Sequence, residues 1–165
     1  MSLRDPAPMD DRRVDAGELY AWVRRTREAL FGYAAGVPAV ALRKTHPAFQ
    51  DSMLGLMAHA AECYLHWTGG VGLGMEVLEL ERPVTELDDV RALFRRVDDV
   101  VEEALTGPGG LERVATWRDR RLSLRYLLLH PVTHEFHHKG QVTSLGRILG
   151  HPVPDGTDLD LALPD

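Results

Sequence analysis

Cysteine is almost absent from this sequence, because Cys63 stands alone among 165 residues and cannot form a disulfide bond within the chain. This excludes the disulfide-stapled scaffolds of small secreted proteins and favours a reducing, cytoplasmic compartment. Long apolar runs are missing too, since charged residues or histidines interrupt each one before the roughly 18 residues that a membrane span needs. The first residues lack the apolar segment of a secretory signal, so we expect neither a membrane protein nor a secreted one.

Basic residues are the minority of the charged residues, with 19 lysines and arginines against 25 aspartates and glutamates, and the net charge is −6. A nucleic-acid backbone would therefore meet net repulsion, and we predict no nucleic-acid partner. We interpret two local basic clusters as solvated faces or anion contacts. These clusters contain Arg24, Arg25 and Arg27, and Arg118, Arg120, Arg121 and Arg125. The hydrophobic content of 44% predicts a single globular domain over residues 1–165.

Apolar residues at helical spacing, bounded by capping residues and glycines, predict four long helices. We place them at about residues 16–36, 52–68, 85–105 and 123–150. Each carries an apolar face, so the predicted fold class is all-α, a four-helix bundle.

The remaining segments are predicted to be mostly coil. Residues 1–14 form a non-helical arm, residues 151–165 a non-helical tail, and residues 111–121 are long enough only for a brief strand pairing. Pro131 lies inside the last predicted helix, where a missing backbone hydrogen bond predicts a kink.

Histidine is the residue in excess: the chain has eight, and four of them lie within nine residues, from His130 to His138. Positions four apart on a helix differ by only about 40° in direction, so His134 and His138 project from one face, one turn apart. Two imidazoles at that spacing can reach one cation at about 2.0–2.1 Å.

His59 is the best third ligand, because its sequence neighbours on the second predicted helix are apolar and we expect it on a buried face. A buried neutral histidine needs a polar partner, and a metal ion is one such partner. Glu62 and Cys63 follow at helical spacing, and each is either an additional ligand or a residue that supports the ligands. Three histidines from two helices predict a catalytic type of site, with one coordination position left for water.

A peptidase is the first alternative, because residues 134–138 satisfy the zincin pattern H-E-x-x-H. The surrounding sequence disagrees with it. Gln141 and Ser144 occupy the positions where a metzincin has glycine and histidine, and no glutamate follows Glu135 to act as a further ligand. We therefore do not favour a peptidase.

A di-iron carboxylate bundle is the second alternative, and it needs a Glu-x-x-His pair on each of two helices. Glu135 and His138 form one such pair, but His59 and Glu62 occur in the reverse order. A site for a single metal ion is therefore preferred.

The sequence resembles the DinB/YfiT-like metal-binding proteins. The resemblance lies in His59, the segments 127–130 and 134–141, the glycine-bounded end 145–150 and the tail around Asp158. The resemblance implies a four-helix bundle, often a homodimer, that holds one divalent metal ion, zinc or nickel, through His59, His134 and His138. Some relatives look like S-transferases or isomerases that use a low-molecular-weight thiol.

Our leading hypothesis is a metal-dependent enzyme of the S-transferase type that activates a thiol or water, with a small molecule as substrate. Glu62 and Glu135 are candidate general bases, and Glu135 is the weaker one because we expect it to face solvent. The alternative is a non-catalytic metal-binding or stress-response module, or a dimerisation protein, in which a further ligand such as Cys63 closes the site.

Overall fold

The computed structural model describes residues 15–76 and 84–155, and most of these residues are helical. In chain order the elements are α1 (Ala16–Ala35), α2 (Ala39–Leu42), α3 (Met53–Tyr64), a π-helix (Leu65–Leu73), α4 (Leu87–Thr106), a 3-10 turn (Gly110–Glu112), β1 (Val114–Trp117), β2 (Arg120–Ser123) and α5 (Leu124–Ile148). The predicted all-α class is confirmed, and α1, α3, α4 and α5 are the four long helices that the periodicity predicted.

Three of the helices begin at side-chain caps that the sequence provides. Asp15, Ser52 and Ser123 each accept a hydrogen bond from a backbone N–H three residues further on. Such caps satisfy amide groups that have no partner within the helix. Local chemistry therefore sets where α1, α3 and α5 start.

The hydrophobic core lies between the long helices, with α3 packed against both α4 and α5 and with α1 against α4. Each long helix contributes fully buried side chains. They include Val23, Ala34, Met53, Tyr64, Val97, Val101 and Leu145. Because α3 and α5 pack along their lengths, residues near the middle of these two helices meet across a short distance.

The second helix departs from its predicted end near Thr68, because helical structure continues as the π-helix through the glycines to Leu73. Gly72 allows this segment to lie close to the start of α5, since a Cβ atom at that position would be only 2.4 Å from a methyl carbon of Leu124. Gly74, with φ of 72°, then ends the helix in the left-handed conformation.

Residues 114–123 form an antiparallel hairpin in which Val114 pairs with Ser123 and Trp117 with Arg120. The predicted brief strand pairing is thus confirmed, and Arg118 takes a positive φ of 55° in the two-residue turn. The hairpin lies next to the π-helix and to the start of α5.

Several predictions fall outside the described residues. The predicted arm, residues 1–14, and residues 156–165 of the predicted tail lie there, while residues 151–155 are not helical.

Pro131 is buried within α5. Across residues 15–76 and 84–155, no helix combines the length and hydropathy that a bilayer span requires.

Candidate metal centre

Three histidines from two helices meet at one point between α3 and α5. One nitrogen of each ring, from His59, His134 and His138, lies within 4.8 Å of the other two. The ring centres of His134 and His138 are 4.4 Å apart, and that of His59 is 5.1 and 4.9 Å from them. The structure therefore brings together the three residues that the sequence predicted as metal ligands, in an arrangement that could hold a metal ion.

His138 is oriented by a neighbour on its own helix. Its Nδ1 lies 2.7 Å from Oε1 of Gln141, and the Nδ1–H donates to that oxygen. The Nε2 atom is then left with its lone pair, and it points to Nε2 of His134 at 3.0 Å. A hydrogen bond of this kind fixes the tautomer that a metal needs. Sequence reasoning missed Gln141, although its spacing of three residues from His138 on one helix was the available signal.

Exposure changes across the cluster. The ring of His138 is buried, that of His134 is half-buried, and the side chain of His59 is 54% exposed. The expectation that His59 lies on a buried face is therefore wrong. Its neighbours in sequence, Ala58 and Ala60, point into the core, but successive helical residues differ in direction by about 100° and do not share a face. One side of the histidine cluster is consequently open to solvent.

Glu62 and Cys63, the two further candidates on α3, lie in different surroundings. Glu62 is exposed, and its carboxylate oxygen is 3.9 Å from Nδ1 of His59, beyond hydrogen-bonding distance. Cys63 is buried, and burial raises the pKa of its thiol to about 11, so it is protonated at neutral pH. The described ranges contain no fourth histidine, cysteine or carboxylate within the same distance of all three histidines.

Glu135 does not face solvent as expected, because it is 5% exposed and turned into the bundle. Arg27 on α1 donates to both of its carboxylate oxygens, from Nε at 2.8 Å and from Nη2 at 3.0 Å. The hydroxyl of Tyr64 donates to the same carboxylate at 2.7 Å. A zincin would need this glutamate beside a metal-bound water. The hydrogen bonds of Glu135 to Arg27 and Tyr64 therefore disfavour the peptidase alternative.

Arg27 is 2% exposed, so of the two expectations for its basic cluster, a solvated face or an anion contact, the anion contact holds for this residue. Its Nη1 donates to Asp98 on α4 at 2.9 Å, and its guanidinium carbon lies 4.1 Å from the ring centre of Phe94. Burial is the largest single influence on the pKa of Arg27 and would lower it, but the charge and hydrogen bonds of Glu135, together with Tyr20 and Tyr64, outweigh burial and raise that pKa well above its ordinary value. The sequence did carry a signal for the burial of Arg27, because this residue lies at helical spacing from the apolar residues Val23 and Leu30 along α1.

Two of the clustered histidines are held in the neutral form that a metal requires. Partial burial, reinforced by the neighbouring ring of His138, lowers the pKa of His134 to about 4. Burial also lowers the pKa of His138, although the hydrogen bond to Gln141 opposes this. At neutral pH these rings therefore need not lose a proton before they bind a cation.

We expect the metal-free protein to lose stability as the pH falls from about 6.5 to about 4. The folded protein keeps His134 neutral down to about pH 4, whereas the unfolded chain takes up a proton there near pH 6.5. Acid therefore favours the unfolded state in this interval, and no further loss from this group follows below it. Thermal unfolding in a chelating buffer should show a smaller loss for His134→Gln than for the unmodified protein, and identical pH profiles would contradict this expectation.

The fold and the site together define a class of protein, a bundle of long helices with three histidines from two of them at one point. The model of the DinB family matches residues 9–162, and the chain belongs to that family. The crystal structure of a DinB-like protein from Bacillus cereus ATCC 10987 has the same fold, with a TM-score of 0.61 and 22% sequence identity over 86% of this chain and 96% of that chain. No curated protein matches the sequence significantly.

Proposed function

We propose that this protein binds one divalent metal ion, zinc or nickel, through His59, His134 and His138, and that it is an enzyme that transfers a low-molecular-weight thiol to a small electrophile. The observation that carries the proposal is the convergence of three imidazole nitrogens within 4.8 Å at a partly exposed position. Membership of the DinB family supports it.

The donor set fits such an ion. Neutral imidazole suits zinc, nickel, copper and iron, and three protein ligands are the usual complement of a catalytic rather than a structural zinc site. Cys63 does not join the cluster, which favours catalysis over the non-catalytic alternative. A bound cation would lower the pKa of a thiol or of water toward neutrality.

Glu62 is the better of the two candidate general bases. Its carboxylate is exposed beside His59, whereas both oxygens of Glu135 already accept hydrogen bonds from Arg27 and Tyr64. In the proposed reaction Glu62 takes the thiol proton, and the sulfur forms a bond to the electrophilic carbon. The leaving group of the electrophile departs with the electron pair of the bond that breaks.

The proposal is tested by measuring thiol transfer to a panel of small electrophiles with the metal-loaded protein. Glu62→Gln should lower kcat by about 10²-fold or more, the usual contribution of a general base, without removing the metal. Glu102→Gln, at an exposed position of α4, is the matched control and should have no effect. Absence of turnover across the panel with metal bound would argue for the non-catalytic module.

The homodimer implied by the family resemblance stays a prediction, which light scattering would check.

A further inference from the structure

A cleft of about 170 Å³ opens beside the histidine cluster, between the hairpin, the π-helix and the start of α5. The proposed thiol transfer assigns no role to the residues that line this cleft. The residues that matter for its chemistry are Trp67, Trp117, Arg120, Tyr126 and His130.

The walls of the cleft are mostly aromatic, and two leucines complete them. The rings of Trp67, from the π-helix, and Trp117, from β1, meet edge to face with their centres 5.0 Å apart. His130 on α5 lies 5.6 Å from Trp67 on another side. A cavity of about 150 Å³ accommodates one benzene ring, so this cleft has the size for a single ring with a short substituent. Aromatic walls of this kind favour a flat, unsaturated ligand.

Arg120, on β2, places a positive charge at the cleft. Across residues 15–76 and 84–155 it forms no ion pair, whereas the nearby Arg125 is paired with Glu112 and Arg118 lies over the ring of Trp117. An arginine without a carboxylate partner at an aromatic cleft is suited to the carboxylate of a ligand, because the planar guanidinium binds both of its oxygens.

The cleft continues toward the candidate metal centre through one side chain. His130 lines the cleft and lies one helical turn before His134, with 5.7 Å between the two ring centres. A molecule bound in the cleft would thus be one imidazole ring away from the three histidines. We propose that the cleft binds small aryl carboxylates, and, resting on the proposed function, that the substrates of the centre are aryl carboxylates whose electrophilic carbon carries a separate leaving group, which departs with the electron pair of its bond as the thiol sulfur bonds to that carbon.

The binding claim can be tested without catalysis, by calorimetric titration of trans-cinnamate into the full-length protein. Its neutral amide serves as the uncharged probe. We expect cinnamate to bind about tenfold more tightly than the amide, and Arg120→Gln to weaken cinnamate about tenfold while leaving the amide unchanged. Arg121→Gln is the matched control, because Arg121 is exposed on the same strand and does not line the cleft. Far-ultraviolet circular dichroism checks that each variant is folded.

The same titration with His59→Ala separates the cleft from the metal centre. Unchanged cinnamate binding to that variant supports the cleft, whether or not thiol transfer is observed with any substrate. Three results would overturn the proposal: no heat at millimolar cinnamate, equal affinity of the unmodified protein and Arg120→Gln, or binding that disappears in His59→Ala. The last result would place the carboxylate on the metal instead of at Arg120. Persistent cinnamate binding with no turnover of the electrophile panel would instead overturn the proposed enzyme and the substrate assignment, and would leave the binding site in the cleft standing.

Discussion

Replacement of Glu135 by alanine is expected to lower the free energy of unfolding by about 3–5 kcal/mol, the cost of breaking a buried ion pair by removing one partner. The guanidinium of Arg27 would remain buried with its main partner removed, and the hydroxyl of Tyr64 would lose its acceptor. The measurement is denaturant unfolding followed by circular dichroism, with the slope compared between variants to confirm two-state behaviour.

The matched control is Glu112→Ala, which removes an ion pair with Arg125 in which both side chains are more than half exposed. Surface pairs contribute about 0–1 kcal/mol, so this variant should unfold almost as the unmodified protein does. If Glu135→Ala does not fold, the double variant Arg27→Met/Glu135→Leu provides the second measurement, because apolar replacement of both partners should restore much of the stability. Equal effects of Glu135→Ala and Glu112→Ala would show that the buried pair is not a main stabilising contact.

Replacement of His138 by alanine is expected to weaken binding of zinc or nickel by more than about 100-fold. Loss even of the outer partners that orient metal ligands costs about 10–100-fold, and His138 would be a direct ligand in the proposed site. Elemental analysis and a competition titration with a chromophoric chelator measure the affinity. Thermal unfolding gives a second readout, because a metal at 100 times its Kd stabilises a protein by about 2.7 kcal/mol, and this increment should vanish in the variant.

His137→Ala is the matched control for the metal prediction. His137 adjoins His138 on α5 but is exposed and lies outside the three-histidine cluster, so the variant should keep its metal content. His59→Ala should behave like His138→Ala although it lies on a different helix. A metal that is lost from His137→Ala, or retained by both other variants, would place the ion elsewhere.

Much of the fold was predictable because it depends on short-range chemistry. The cap at Asp15 joins groups three residues apart, and the start of α1 follows from it. His134 and His138 share a face because of helical geometry alone. The predicted end of the second helix was wrong for a tertiary reason, since Gly72 allows the π-helix to approach Leu124 on α5.

The candidate site was predictable in its residues and not in its surroundings. His59 was selected for its apolar neighbours, yet it is exposed, and it meets His134 because α3 packs against α5. Glu135 was selected as a possible base, yet it pairs with Arg27, which is 108 positions away in sequence. No spacing rule predicts a pairing at that distance.

Interactions between residues close in sequence and interactions between packed helices therefore determine different features of this protein. The residue order alone specified the long helices, the starts of α1, α3 and α5 and the pair of histidines on α5, because helix geometry and capping act within a few residues. Packing decided the third histidine's position, the burial of Arg27 with Glu135, and the aromatic cleft at Arg120. These features depend on which helix faces meet, and that is determined by burial of the whole apolar surface at once.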